Sequence, residues 1–146
     1  MSSLYAESSA VLRWLLGAED GERVRDALTG ARAVISSALT AAEVARTLRR
    51  LAAERAIDLA QHDAAWARFT GASAHWYIYA VSDAILDRVC QPFPREPLRT
   101  LDAIHVATAL IISRDMTAPT VLSVDHRVRD NAVALGLGVA PVEWGS

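Results

Sequence analysis

Residues 100–113 read TLDAIHVATALIIS. The run is long enough for a helix, and its apolar positions go nearly all the way round, which leaves no face for water. Such a helix has to be buried. Yet it carries an acid, Asp102, in its first turn, behind Thr100 as the expected cap. Attraction to the positive end of the helix dipole explains an acid at that position. It does not readily explain one in a buried helix, because a buried carboxylate needs a partner or a metal.

Outward from this segment, short apolar strands alternate with helical patterns. Downstream, Thr120–Val124 reads as a strand, about Arg127–Leu135 as a helix closed by Gly136, and Val139–Val142 as the last strand. Upstream, Gln91–Pro97 holds three of the five prolines and is a loop. Ser82 caps a short helix through Val89, and Asp58 caps one that runs to about Phe69. Trp76–Val81 reads as a strand or as the tail of that helix. Thr40 with Glu43 three residues on makes a capping box. The helix behind it buries Val44, Leu48 and Leu51 at i, i+4 and i+7. Ala33–Ser36 is a strand, Glu19–Leu28 a solvated helix stopped by Gly30, and Ser8 or Ser9 opens a helix that ends at Gly17. Leu4–Ala6 is the first strand. This order predicts an α/β fold, a mostly parallel central sheet flanked by helices. At 146 residues the chain is the size of one domain, residues 1–146.

Composition narrows the function. The formal net charge is −2, which argues against binding nucleic acid by bulk electrostatics. It leaves room for a nuclease that meets phosphate through a bound metal and a few local arginines. All 15 basic residues are Arg, the better residue for bidentate phosphate contacts, although GC-rich codon usage explains the bias equally simply. Cys90 is the single cysteine, so one chain makes neither a disulfide nor a thiolate metal site. The N-terminus lacks a signal-peptide pattern. The apolar run Ala103–Ile112 is too short to span a bilayer, and a soluble cytoplasmic protein is expected.

Most of the 17 acidic residues sit among other polar residues. Four do not. Glu7 directly follows the first strand and Asp125 directly follows TVLSV, at strand carboxyl ends, where open parallel sheets bind ligands. Glu43 and Asp102 lie in first turns of helices, and helix N-termini share that sheet edge. Each has an ordinary alternative. Glu7 can cap the next helix, Glu43 can serve its capping box or pair with Arg46, and Asp125 can start a turn. Together they change the balance, since acids gathered in one pocket cannot all stay ionised without a cation. Oxygen-only ligands suit Mg²⁺ or Mn²⁺, and the matching chemistry is phosphodiester hydrolysis by activated water.

Four ordered segments resemble the PIN-domain ribonucleases of the VapC toxin type. They are YAESSAVLRWL, SSALTAAEVARTL, LRTLDAIHVATAL and VLSVDHRV with LGLGV, and they cover nearly the whole chain. The resemblance implies a PIN-like α/β/α sandwich and a catalytic, metal-binding cluster of Glu7, Glu43, Asp102 and Asp125, with Ser9 orienting the acids by hydrogen bonds. It further implies an Mg²⁺- or Mn²⁺-dependent endoribonuclease that leaves a 5′-phosphate and a 3′-hydroxyl. The enzyme would be the toxin of a toxin–antitoxin pair, bound by a cognate antitoxin and assembled as a homodimer. One departure stands out: most of that family has Asp where this chain has Glu7. The extra methylene carries the carboxylate outward by roughly 1.5 Å, against the tight octahedral demand of Mg²⁺. The alternative it raises is a PIN-like module that binds RNA or a protein partner without cleavage.

Other readings are weaker. Arg46, Arg49 and Arg50 suit RNA phosphates or a solvated face; Arg13 and Trp14 suit a groove wall or a partner surface. His105 is expected as a satisfied core histidine and His126 as a neighbour of the site. The aromatics of 66–79 read as core or dimer surface. A haloacid-type phosphatase needs an aspartate where Ser9 stands, and a phospho-receiver domain needs a lysine the chain lacks.

Overall fold

The computed structural model describes residues 3–142; the outermost residues of the expected domain, 1–2 and 143–146, lie outside the described residues. Five strands form one sheet: β1 (Ser3–Ala6), β2 (Ala33–Ser37), β3 (Tyr77–Tyr79), β4 (Thr120–Leu122) and β5 (Val139–Ala140). They lie in the order β3-β2-β1-β4-β5, and every neighbouring pair is parallel. Seven helices complete the described residues: α1 (Ser8–Leu15), α2 (Gly21–Gly30), α3 (Ala38–Ala53), α4 (Leu59–Ser73), α5 (Asp83–Val89), α6 (Thr100–Asp115) and α7 (His126–Ala134).

β1 is central because it is apolar on both faces. Leu4, Tyr5 and Ala6 are all buried, and successive side chains point to opposite sides of a sheet. Tyr5 joins a core with Ile35, Val121, Ile85 of α5, Val128 and Ala132 of α7, and much of α6. Ala6 faces the other way, toward Val11 and Leu15 of α1, Val44 and Leu48 of α3, and Phe69 of α4. The sheet is thus covered on both faces, as an all-parallel sheet requires. From Ala103 to Ala109 every residue of α6 is buried, so the uniform apolarity of that segment is used on all sides.

Cap positions depart from the sequence reading in two places. Helix α3 starts at Ala38, with Ser37 as its cap and the Ser37 hydroxyl accepting from Leu39 N–H at 3.1 Å. Thr40 is therefore inside the helix, buried, and accepts from the Ser36 hydroxyl at 2.8 Å. Its capping box with Glu43 does not form, because the chain turns helical as soon as β2 ends. Helix α6 has Arg99 at its cap position with no side-chain cap bond, and Thr100 is already helical. Elsewhere the expected caps hold. Asp58 and Gln61 form a complete capping box on α4, and the Ser82 side chain accepts from Ile85 N–H on α5. Gly17 and Gly136 follow α1 and α7 with φ of +68° and +85°, the left-handed geometry that favours glycine after a helix. The ambiguous stretch after α4 is an edge strand at Tyr77–Tyr79.

Candidate active site

Strands β1 and β4 are neighbours, so the residues that leave their carboxyl ends meet. The Glu7 N–H donates to the Leu122 carbonyl at 3.0 Å, which extends the pairing by one residue. Glu7 is 2 % exposed and occupies the N-cap of α1. Its Oε1 accepts from Ser8 Oγ at 2.9 Å and from Ser9 N–H at 3.1 Å. Its Oε2 accepts from Ser9 Oγ and from Ser123 Oγ, the latter at 2.7 Å. The Ser9 hydroxyl also accepts from Val124 N–H at 3.1 Å, and the Ser123 hydroxyl from Asp125 N–H at 3.1 Å. Two serines 114 residues apart therefore lock the β1–α1 and β4–α7 turns around one carboxylate.

Asp125 caps α7, its Oδ1 accepting from Arg127 N–H at 2.8 Å and Val128 N–H at 3.3 Å. Behind this turn lies a buried guanidinium. Arg129 donates to the Ser123 carbonyl at 2.9 Å and to the Pro141 carbonyl at 2.7 Å, and burial lowers its pKa. Asp102 reaches the same region from the first turn of α6, with its side chain 17 % exposed. Burial raises its pKa first, then the charges of Asp125 and Glu7; Arg99, at 3.9 Å, and His105 oppose the rise. Acids from two other segments thus act on Asp102 through space.

Glu43 comes from the fourth segment. Its Oε1 lies 2.5 Å from Nε2 of His105, whose Nδ1 lies 2.8 Å from the Tyr5 hydroxyl. His105 is the satisfied core histidine expected of it, and it displaces Arg46 as the partner of Glu43. Arg46, Arg49 and His126 are exposed, and Arg50 pairs with Glu54 at 3.3 Å. Arg13 pairs with Asp20 at 3.3 Å, and Trp14 packs against the buried residues around Val11 and those around Val24. Ser123 and Arg129 were not singled out from the sequence. A hydroxyl two residues before an acid at a strand end is the signal that would have found Ser123.

Mutually repelling carboxylates, one with a raised pKa, are the chemistry a hard cation offsets. Asp102 and Asp125 suit it best. Glu7 already accepts two donors on each oxygen, which uses the four lone-pair sites of a carboxylate. A cation at Glu7 would require a serine hydroxyl to turn away. As placed, no three His, Cys, Asp or Glu side chains among the described residues stand close enough to hold an ion. The set fits a cation in charge and donor type, and not in the spacing of its side chains.

Known proteins resemble this chain over nearly its whole length. The PIN domain family description matches residues 4–134. Ribonuclease VapC46 of Mycobacterium tuberculosis is 33% identical over 139 residues, covering 95% of this chain and 97% of that protein. Among solved structures, the FitAB complex bound to an IR36 DNA fragment matches with a TM-score of 0.68 at 18% identity, over 98% of both chains. A toxin–antitoxin complex from Klebsiella pneumoniae matches at 0.65 and 17% identity, over 99% of this chain and 100% of that one.

Proposed function

This chain belongs to the PIN-domain family, and from that premise we propose that it is a VapC-type ribonuclease, the toxin of a toxin–antitoxin pair. The observation that carries the reading is the meeting of Glu7 and Asp125 at the joined ends of β1 and β4, both bonded to Ser123, with Asp102 of α6 near enough for their charges to raise its pKa. Acids gathered at the carboxyl edge of a parallel sheet are the constellation a metal-dependent phosphodiesterase needs. The ribonuclease name of the relative at 33% identity points to RNA as the substrate.

Asp102 and Asp125 would hold Mg²⁺ or Mn²⁺, with Glu43 and Glu7 completing the negative pocket. Such an ion supplies Lewis acidity toward the scissile phosphate and lowers the pKa of water. The chain's own residues do the placing. Ser9 and Ser123 fix Glu7, and the α7 amides fix Asp125. The low exposure of Asp102 limits the screening by water of the charge that attracts the cation. The likeness to a toxin–antitoxin complex supports a cognate antitoxin as partner, and a homodimer is proposed with it.

The test is cleavage of total bacterial RNA by the purified chain with Mn²⁺, Mg²⁺ or EDTA, beside Asp102→Asn. Cleavage should require the ion and fall by more than about 100-fold in the variant, beyond the ~10–100-fold usual for outer partners of a metal site. Metal-independent cleavage, or an active variant, would refute the assignment. One observation favours a second reading: the fully engaged Glu7 carboxylate suits a PIN-like module that binds without cutting. That module should bind its partner with EDTA present and leave RNA intact.

A further inference from the structure

Helix α6 puts two side chains on nearly one face, three residues apart: Asp102 toward the acidic edge and His105 beneath Glu43. His105 is 1 % exposed and sits in a helix whose neighbours are apolar. A buried imidazole is tolerated when both nitrogens have partners, and both do. Tyr5, from the central strand, meets Nδ1 at 2.8 Å, and Glu43, from α3, meets Nε2 at 2.5 Å. Tyr5 is fully buried, and desolvation raises its pKa, so its hydroxyl keeps its proton and anchors the ring at Nδ1. A carboxylate can only accept, so in the contact with Glu43 the donor is the Nε2–H of His105. The chain of bonds runs from the middle of the sheet, through α6, to a carboxylate on α3 that is 21 % exposed.

We propose that His105, anchored by Tyr5, is a positioning residue that holds the Glu43 carboxylate in the orientation the acidic site uses. A glutamate has three rotatable side-chain bonds, and ordering it costs conformational entropy. A donor fixed by the core removes that cost before any ligand arrives. A plain core histidine would need only its two bonds satisfied by any partner. Here one bond ends on a residue of the candidate site itself. The inference rests on the ribonuclease reading, and the experiment separates the two.

Three variants suffice: His105→Leu removes the donor, His105→Gln keeps an N–H at the same number of bonds from the backbone, and Tyr5→Phe removes the anchor. Each is assayed for cleavage of a mixed-sequence oligoribonucleotide and for the rise in melting temperature with Mn²⁺. His105→Leu should lower kcat by about 10–100-fold, leave KM within about two-fold, and weaken the Mn²⁺ response. His105→Gln should restore most of both, and Tyr5→Phe should fall between. Equal loss in the Leu and Gln variants, or wild-type behaviour in both, overturns the proposal. If His105→Leu does not fold, the Gln and Phe variants decide it: a wild-type kcat and Mn²⁺ response in Tyr5→Phe, or no recovery in Gln, overturns it. A wild-type chain that fails to cleave sinks the ribonuclease reading instead. The Mn²⁺ melting series then still decides the positioning claim.

Discussion

Asp102 carries opposite consequences for folding and for the site. Its pKa is raised above the ordinary 3.8, so the folded chain holds this proton to higher pH than the unfolded chain does. Stability therefore falls as pH rises from about 3.8 through the raised value, where the unfolded state binds fewer protons. Asn has no proton to lose. Without divalent metal, Asp102→Asn should melt above wild type at pH 7.5, and the gap should narrow as the pH is lowered toward 4. Thermal melts in EDTA at several pH values check this; a gap that is flat or widens on acidification would contradict it. Stability given up at a carboxylate that the site needs charged is the usual trade at functional positions.

At the scale of elements, the same side chains start helices and face the candidate site. Glu7 and Asp125 both occupy N-caps, on α1 and α7, so the capping alternative holds for Glu7, Asp125 opens a helix where a turn was expected, and the site role proposed for each is compatible with capping. Substitution separates them at Asp125. Asn retains a cap acceptor and Ala does not, which should cost Asp125→Ala about 1 kcal/mol more in a denaturant titration. Both variants should lose RNA cleavage to a similar degree, because both lose the charge. Wild-type cleavage by Asp125→Asn would show a capping role alone. Helix α3 teaches a different lesson. Thr40 and Glu43 have capping-box spacing, yet Ser37 takes the cap, and Glu43 turns instead to His105, 62 positions away. Spacing alone does not choose among Ser36, Ser37 and Thr40; the end of β2 pairing does.

For the molecule as a whole, the sheet order decides what meets what. β1 lies between β2 and β4, so the turns after all three sit side by side. Cation binding at that edge should act on global stability through linkage, since the unfolded chain has no such pocket. Mn²⁺ at about 100 times its dissociation constant should add about 2.7 kcal/mol, or roughly 10 °C in melting temperature for a chain of this length. In Asp102→Asn most of that rise should vanish, and calorimetry with and without Mn²⁺ measures both. No helix among the described residues is long and apolar enough to cross a membrane.

The amino-acid sequence by itself determined the alternation of strands and helices, the burial of α6, and which four acids leave strand ends or open helices. These follow from local periodicity and from the rule that carboxyl ends of parallel strands share an edge. Only the tertiary structure decided the bonds between segments: Ser123 and Ser9 on Glu7, Arg129 behind the β4–α7 turn, and Tyr5 through His105 to Glu43. Those partners are far apart along the chain. Their pairing depends on strand order and on where each helix begins, and neither is encoded in any short stretch of residues.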